Sequence, residues 1–141
     1  MAAYTAMDIA RYMVNLCIDS DCPVSNLQVQ KILYFCQTGY RKKTGFYLFD
    51  DDFEAWRYGP VVPSVYKMLS LFGGMKITRR VKIFEEIDYH TAKIIDPIIL
   101  SNAQKEPWDL VKKTHERGSA WDETFKDGMG NGRVISKAMM V

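Results

Sequence analysis

No stretch constrains this chain more than Glu54–Tyr66, which reads E-A-W-R-Y-G-P-V-V-P-S-V-Y. Phe53, Ala55 and Arg57 alternate with Glu54, Trp56 and Tyr58, the period of a short extended segment. Gly59-Pro60 punctuates it, because Pro60 fixes φ and brings no N–H donor. From Val62 onward Val62, Val65, Tyr66, Leu69 and Phe72 recur at the spacing of one helical face. Pro63 suits the first turn of that helix, where a missing N–H costs nothing, and Gly73-Gly74 provides a stop. The stretch therefore predicts a rigid strand–turn–helix corner with no nucleophile and no metal-ligand set.

Helical signals dominate on both sides of the corner. Thr5-x-x-Asp8 and Ser25-x-x-Gln28 both read as capping boxes. The first opens a helix from Thr5 to about Asp19, with Ile9, Tyr12, Met13, Leu16 and Cys17 as its apolar stripe. The second opens a helix carrying Val29, Ile32, Leu33, Cys36 and Tyr40, widened by Tyr34 and Phe35 and therefore nearly buried. Arg41-Lys42-Lys43 falls in its last turn, where cations suit the helix dipole, and Gly45 ends it. This basic triplet reads as a solvated turn in preference to a phosphate site.

Lys76–Ile87 mixes β-branched and charged residues and fits either a short hairpin strand or an irregular crossing. Ile94, Ile95, Ile98 and Ile99 make Thr91–Ala103 helical, with Pro97 requiring a kink or a late start. A further helix opens near Glu106-Pro107 and runs to His115. Gly118 breaks it, and Ser119 caps a last short helix holding Trp121 and Phe125. Asp127–Gly132 (D-G-M-G-N-G) reads as a flexible loop; it lacks the Lys-Ser/Thr of a P-loop and the strand of a dinucleotide fingerprint. Ile135–Val141 is an apolar tail able to dock on the core. The expected fold is mainly α: one domain over residues 1–141, with five to seven helices and a short β hairpin or extended segment at the corner.

Composition narrows the function. A length of 141 residues, 48% hydrophobic and 26% charged, fits one soluble globular domain. No apolar run approaches the roughly 18–20 residues of a membrane span, and Met1–Met7 lacks the pattern of a signal peptide. Cys17, Cys22 and Cys36 are odd in number, and Cys17 and Cys36 fall on apolar helical positions, so reduced structural thiols and a cytoplasmic location are expected. No metal or other cofactor is expected. The net charge of +2 and the lack of a recognition-helix motif argue against nucleic acid as partner, although Arg41–Lys43 and Arg79–Lys82 are basic.

An enzyme needs a nucleophile with its base, a carboxylate pair or a metal set. Cys36 and His115 are the one pair worth naming, and Cys36 lies on an apolar face where a thiolate is costly. His115 reads as a satisfied structural histidine, and His90 as surface. Glu54 and Arg57 fit an ion pair, or backbone hydrogen bonds, that fix the corner. The functional reading of the same residues is a binding hot spot of Trp56, Arg57 and Tyr58, with Val61 and Tyr66 beside them, because Trp, Tyr and Arg dominate such sites. Taken alone, Trp56 reads as core.

Three segments together resemble a known family. They are Leu27-Gln28-x-Gln30-Lys31-Ile32-Leu33-Tyr34-Phe35, the corner from Glu54 to Tyr66, and Leu110-x-x-x-Thr114-His115 with Trp121. The pattern resembles the Panacea domain, the SocA-like antitoxin domain also described in phage-associated GepA-like proteins, over roughly Ile9 to Phe125. The resemblance implies a mainly helical, non-enzymatic domain that binds and neutralises a cognate toxin protein, one type acting as an adaptor that delivers its toxin to a protease. It marks Gln30, Lys31, Tyr34, Glu54, Gly59, Pro60, Pro63, Thr114, His115 and Trp121 as motif residues. Ala120-Trp121 departs from the family's usual Pro-Trp.

Overall fold

The computed structural model describes residues 2–140. Helix α1 (Ala6–Asp19) begins at Thr5, whose hydroxyl accepts from the Asp8 amide while the Asp8 carboxylate accepts from the Thr5 amide. Helix α2 (Asn26–Thr44) begins the same way at Ser25 and Gln28, and it ends on Gly45 at φ 83°. Both reciprocal caps satisfy N–H groups that the first helical turn leaves free. Arg41, Lys42 and Lys43 are exposed in the last turn of α2, as expected.

α2 is the axis of the fold. It packs against α1, helix α3 (Pro63–Leu69), helix α4 (Tyr89–Ala103), helix α5 (Pro107–Thr114) and strand β2 (Gly59–Val61). Val29, Ile32, Leu33 and Cys36 are fully buried along it and join Ile9, Met13, Phe49, Val65, Ile95 and Leu110 in one core. Burial pushes the Cys17 thiol up to about 12, and that of Cys36 upward as well. Neither thiol therefore has thiolate character at neutral pH, and Cys17, Cys22 and Cys36 are all free.

The corner carries the short β hairpin that the sequence offered alongside an extended segment, with Gly59-Pro60 opening its second strand. Strand β1 (Glu54–Trp56) and β2 pair antiparallel, with Glu54 opposite Val61 and Trp56 opposite Gly59, across a turn at Arg57 and Tyr58. Gly59 takes φ 113°, which a side chain disfavours. Pro60, lacking an N–H, is tolerated because the sheet has only these two strands and β2 is an edge. Pro63 then opens α3 at its first turn, and a short 3₁₀ turn at Ser70–Phe72 precedes Gly73.

Three other expectations resolve or change. Lys76–Ile87 is an irregular crossing without a strand, anchored where Asn15 bonds both the amide and the carbonyl of Val81 and where Ile77 is fully buried. α4 starts at Tyr89, capped by Asp88, so Pro97 lies inside the helix rather than at a late start. The Gly-rich segment is held, not free. The Gly132 amide donates to the Ala55 carbonyl at 2.7 Å, the Ala55 amide to Arg133 at 2.8 Å, and the Ile135 amide to Phe53 at 2.8 Å. The tail thus lies along β1, with Ile135 and Met140 buried in the core; Val141 falls outside the described residues. Helix α6 (Ala120–Phe125), capped by Ser119 as expected, closes the chain onto β1.

Among the described residues no helix is long and apolar enough to cross a membrane.

Candidate functional site: an aromatic groove at the hairpin

The hairpin turn, α3 and the start of α5 meet around a groove of about 470 Å³. Trp56, Arg57, Tyr58, Val61 and Tyr66, the residues singled out from the sequence, all line it. Trp56 is half-buried and makes an edge-to-face contact with Tyr66 at 5.0 Å. It is therefore a wall of the groove and not core. Tyr58 is 46% exposed and Tyr66 41% exposed, an unusual state for two large rings side by side in one concavity. Val61 is buried in the floor.

The groove contains an aromatic residue that the motif reading missed. Trp108, 58% exposed, sits edge-on to Tyr58 at 5.6 Å. Its signal was present in the sequence: Leu110, Val111 and Thr114 define the buried face of α5, and Trp108 lies off that face. An indole held away from the core side of a short helix has little reason to be there for packing.

The motif residues of α2 support the groove from behind. Gln30 Oε1 accepts from the Val62 amide at 3.0 Å, and Gln30 Nε2 donates to Asn26 Oδ1 at 2.9 Å. Asn26 Nδ2 in turn donates to the Tyr66 carbonyl at 3.1 Å. This chain of amides ties the start of α2 to both ends of the β2–α3 junction, so the groove walls are held by a rigid element. Lys31 is fully buried beneath them, its Nζ donating to the Pro60 carbonyl at 3.0 Å. Desolvation lowers its ammonium to about 7. Gly59 lies close: a Cβ there would stand 2.8 Å from Thr114 Oγ1 and 2.9 Å from Lys31 Cε. Tyr34 belongs to the opposite side, edge-on to Phe53 at 5.3 Å.

Glu54 and Arg57 do not form the expected ion pair. Glu54 Oε1 accepts from Trp56 Nε1 at 3.0 Å, and Arg57 lies over the Tyr58 ring at 5.5 Å. His115 stacks on Trp121, but among the described residues its buried Nε2 has no hydrogen-bond partner, so it is not the satisfied histidine expected. Burial first, and the Lys31 charge second, lower its pKa. His90 is exposed, as read. Cys36 is sealed in the core.

The matching region of known proteins covers this architecture. The family model described as "Antitoxin SocA-like, Panacea domain" matches residues 29–122, which run from α2 through the hairpin to the His115–Trp121 stack. That is narrower than the Ile9–Phe125 expected; α1 and the tail lie outside it. Antitoxin SocA of Caulobacter vibrioides (strain NA1000 / CB15N) is 31% identical over 128 residues, covering 80% of this chain and 68% of that protein. No solved structure matches the chain. With the model spanning the axis helix, the groove and the stacked pair together, the chain belongs to the SocA-like antitoxin family of Panacea domains.

Proposed function

We propose that this chain is the antitoxin of a toxin–antitoxin pair, acting in the cytoplasm by binding a toxin protein and holding it inactive without catalysis. The observation that carries the reading is the groove. Trp56, Tyr58, Tyr66 and Trp108 converge there from three elements and stay partly exposed, beside a free Arg57. Exposed Trp, Tyr and Arg clustered in a preordered concavity are the residues that dominate protein–protein binding energy. Their backbone is fixed by the Gln30–Asn26 amide chain, so little ordering entropy is lost on association.

The test is co-expression with the product of the adjacent reading frame, scored by growth rescue and co-purification. Rescue with a stable complex supports the proposal. Tyr58→Ala and Trp108→Ala, both at exposed positions, should weaken that complex by about 2 kcal/mol or more each while the thermal unfolding midpoint holds. Rescue with intact binding in both variants would remove the groove from the interface. The toxin's half-life in the presence of the chain separates simple sequestration from delivery to a protease. A salt-dependent shift of duplex DNA with no effect on a neighbouring protein would replace the antitoxin reading by a nucleic-acid one.

A further inference from the structure

Lys31 is the one charged side chain that is fully buried among the described residues. Its ammonium has three donors, and one is used, on the Pro60 carbonyl. No carboxylate of the described residues forms an ion pair with it. A buried cation without a counter-ion is costly, and a methionine would fill the same volume without that cost. Arg57 stands at the mouth of the same groove, exposed and likewise free of any ion pair among the described residues.

The rest of the lining makes the asymmetry sharper. No Asp or Glu lines the groove, and Glu54, the carboxylate nearest in sequence, is engaged by the Trp56 indole. The remaining walls are mainly aromatic or aliphatic, with Gly73-Gly74 and with the amides of Asn26 and Gln30, which are engaged with each other and with backbone. One cation therefore faces the groove directly and a second sits behind its floor, where low polarity leaves its field poorly screened. Apolar walls with one uncompensated positive charge at the mouth, joined below about pH 7 by a second behind the floor, are complementary to one kind of occupant.

We propose that the groove takes a segment of the partner protein that presents a carboxylate side chain between apolar residues, with Arg57 binding the carboxylate and Lys31 adding attraction through the floor. The inference rests on the antitoxin reading and gives its partner a chemistry. Arg57 suits the contact because its planar guanidinium matches a carboxylate in two parallel hydrogen bonds. Trp108 and Tyr58 receive the flanking apolar side chains. A basic segment is repelled and a neutral amide gains little, so charge sets the selectivity and the aromatic area sets the affinity.

Two short fluorescent peptides of equal length test this, each a leucine segment around one central residue, aspartate in the first and asparagine in the second. Titrated with the full chain, the aspartate peptide is expected to bind at least about tenfold more tightly. Arg57→Gln, at an exposed position, should erase the difference, and at pH 6, where Lys31 is protonated, Lys31→Met should reduce it. Equal affinities, binding of neither peptide, or a preference that survives Arg57→Gln would overturn the inference. Growth rescue keeps the two ideas apart. Rescue by the wild-type chain that persists in Arg57→Glu ends this inference and leaves the antitoxin reading intact. An aspartate preference without any rescue keeps the groove chemistry and ends the antitoxin reading.

Discussion

His115 and Trp121 stack face to face, their ring centroids 3.7 Å apart and their planes 4° from parallel. The relationship matters because Trp121 has a second attachment: its Nε1 donates to the Trp56 carbonyl at 2.7 Å. The end of α5, the start of α6 and the tip of β1 are thereby joined at one point. Phe125 extends the stack on the other face of the indole at 4.7 Å. The wall of the groove that carries Trp56 is thus braced from the C-terminal half of the chain.

Trp121→Phe should keep most of the stack and lose the indole donor. The Trp56 carbonyl would then lack its partner in a half-buried setting, and stability should fall by about 1–3 kcal/mol. Urea unfolding should show a lower midpoint at an unchanged slope. A midpoint equal to wild type would mean water replaces the donor and the brace is not needed.

His115 predicts an acid sensitivity. Its folded-state pKa lies below its ordinary 6.5, so the unfolded chain takes up the proton first as pH falls. Stability is therefore full above pH 6.5 and declines as the pH drops beneath it. His115→Phe keeps a stacking ring without the unpartnered Nε2 and should flatten this decline. Asp88, held at about 2 by the Tyr4 hydroxyl and by bonds from Thr91, acts in a lower window, beneath the ordinary 3.8, so a pH series of unfolding midpoints separates the two.

Lys31 predicts a course of the same sign in a higher pH window. Its folded pKa is about 7 against an ordinary 10.5, so between those values the native state gives up the proton while the unfolded state keeps it. Its destabilising contribution is complete below pH 7 and is relieved as the pH climbs toward 10.5. Lys31→Met should accordingly be more stable than wild type by about 1–4 kcal/mol at pH 6, the range seen when buried ions give way to apolar residues of similar volume. At pH 9 the gap should shrink, because the neutral amine still bonds the Pro60 carbonyl. The difference between paired unfolding curves cancels the titration of the buried thiols. A gap that is constant with pH would show that Lys31 stays protonated throughout.

Gly59→Ala tests the packing of the hairpin on α2 and α5. The new methyl meets Thr114 Oγ1 and Lys31 Cε at 2.8 and 2.9 Å, on a backbone at φ 113°. Strain of this kind costs about 1–3 kcal/mol before any contact is relieved. A large loss of stability, with Gly73→Ala milder because a Cβ there meets nothing within 4 Å, is the expected contrast. Equal losses at both positions would assign the cost to φ alone.

Much of this protein could be read without its structure, and the parts that could share a physical basis. The two capping boxes, the stop at Gly45 and the Ser119 cap bind partners three to five residues away, and the proline opening α3 acts through its own fixed φ. Interactions of that range are fixed by local spacing, and periodicity supplies the buried face. The same logic exposed the clustering of Trp56, Arg57, Tyr58, Val61 and Tyr66, which are close in sequence and remain close in space.

What the sequence left open depends on segments meeting across long separations. The Gly-rich segment was captured by Ala55 from some 80 residues away, a distance whose closure local propensity does not encode. The Glu54–Arg57 pair does not form: the Trp56 indole claims the carboxylate and Arg57 lies over the Tyr58 ring. Trp108 joined the groove only when α5 packed on β2, and Lys31 lost its water only when β2 and α5 closed over α2. By itself the sequence determined the helices, their caps and the family motif, because those rest on neighbours along the chain. Tertiary structure alone decided which charges are left without partners and which aromatics face outward, because both are settled by what each residue meets after the chain has closed.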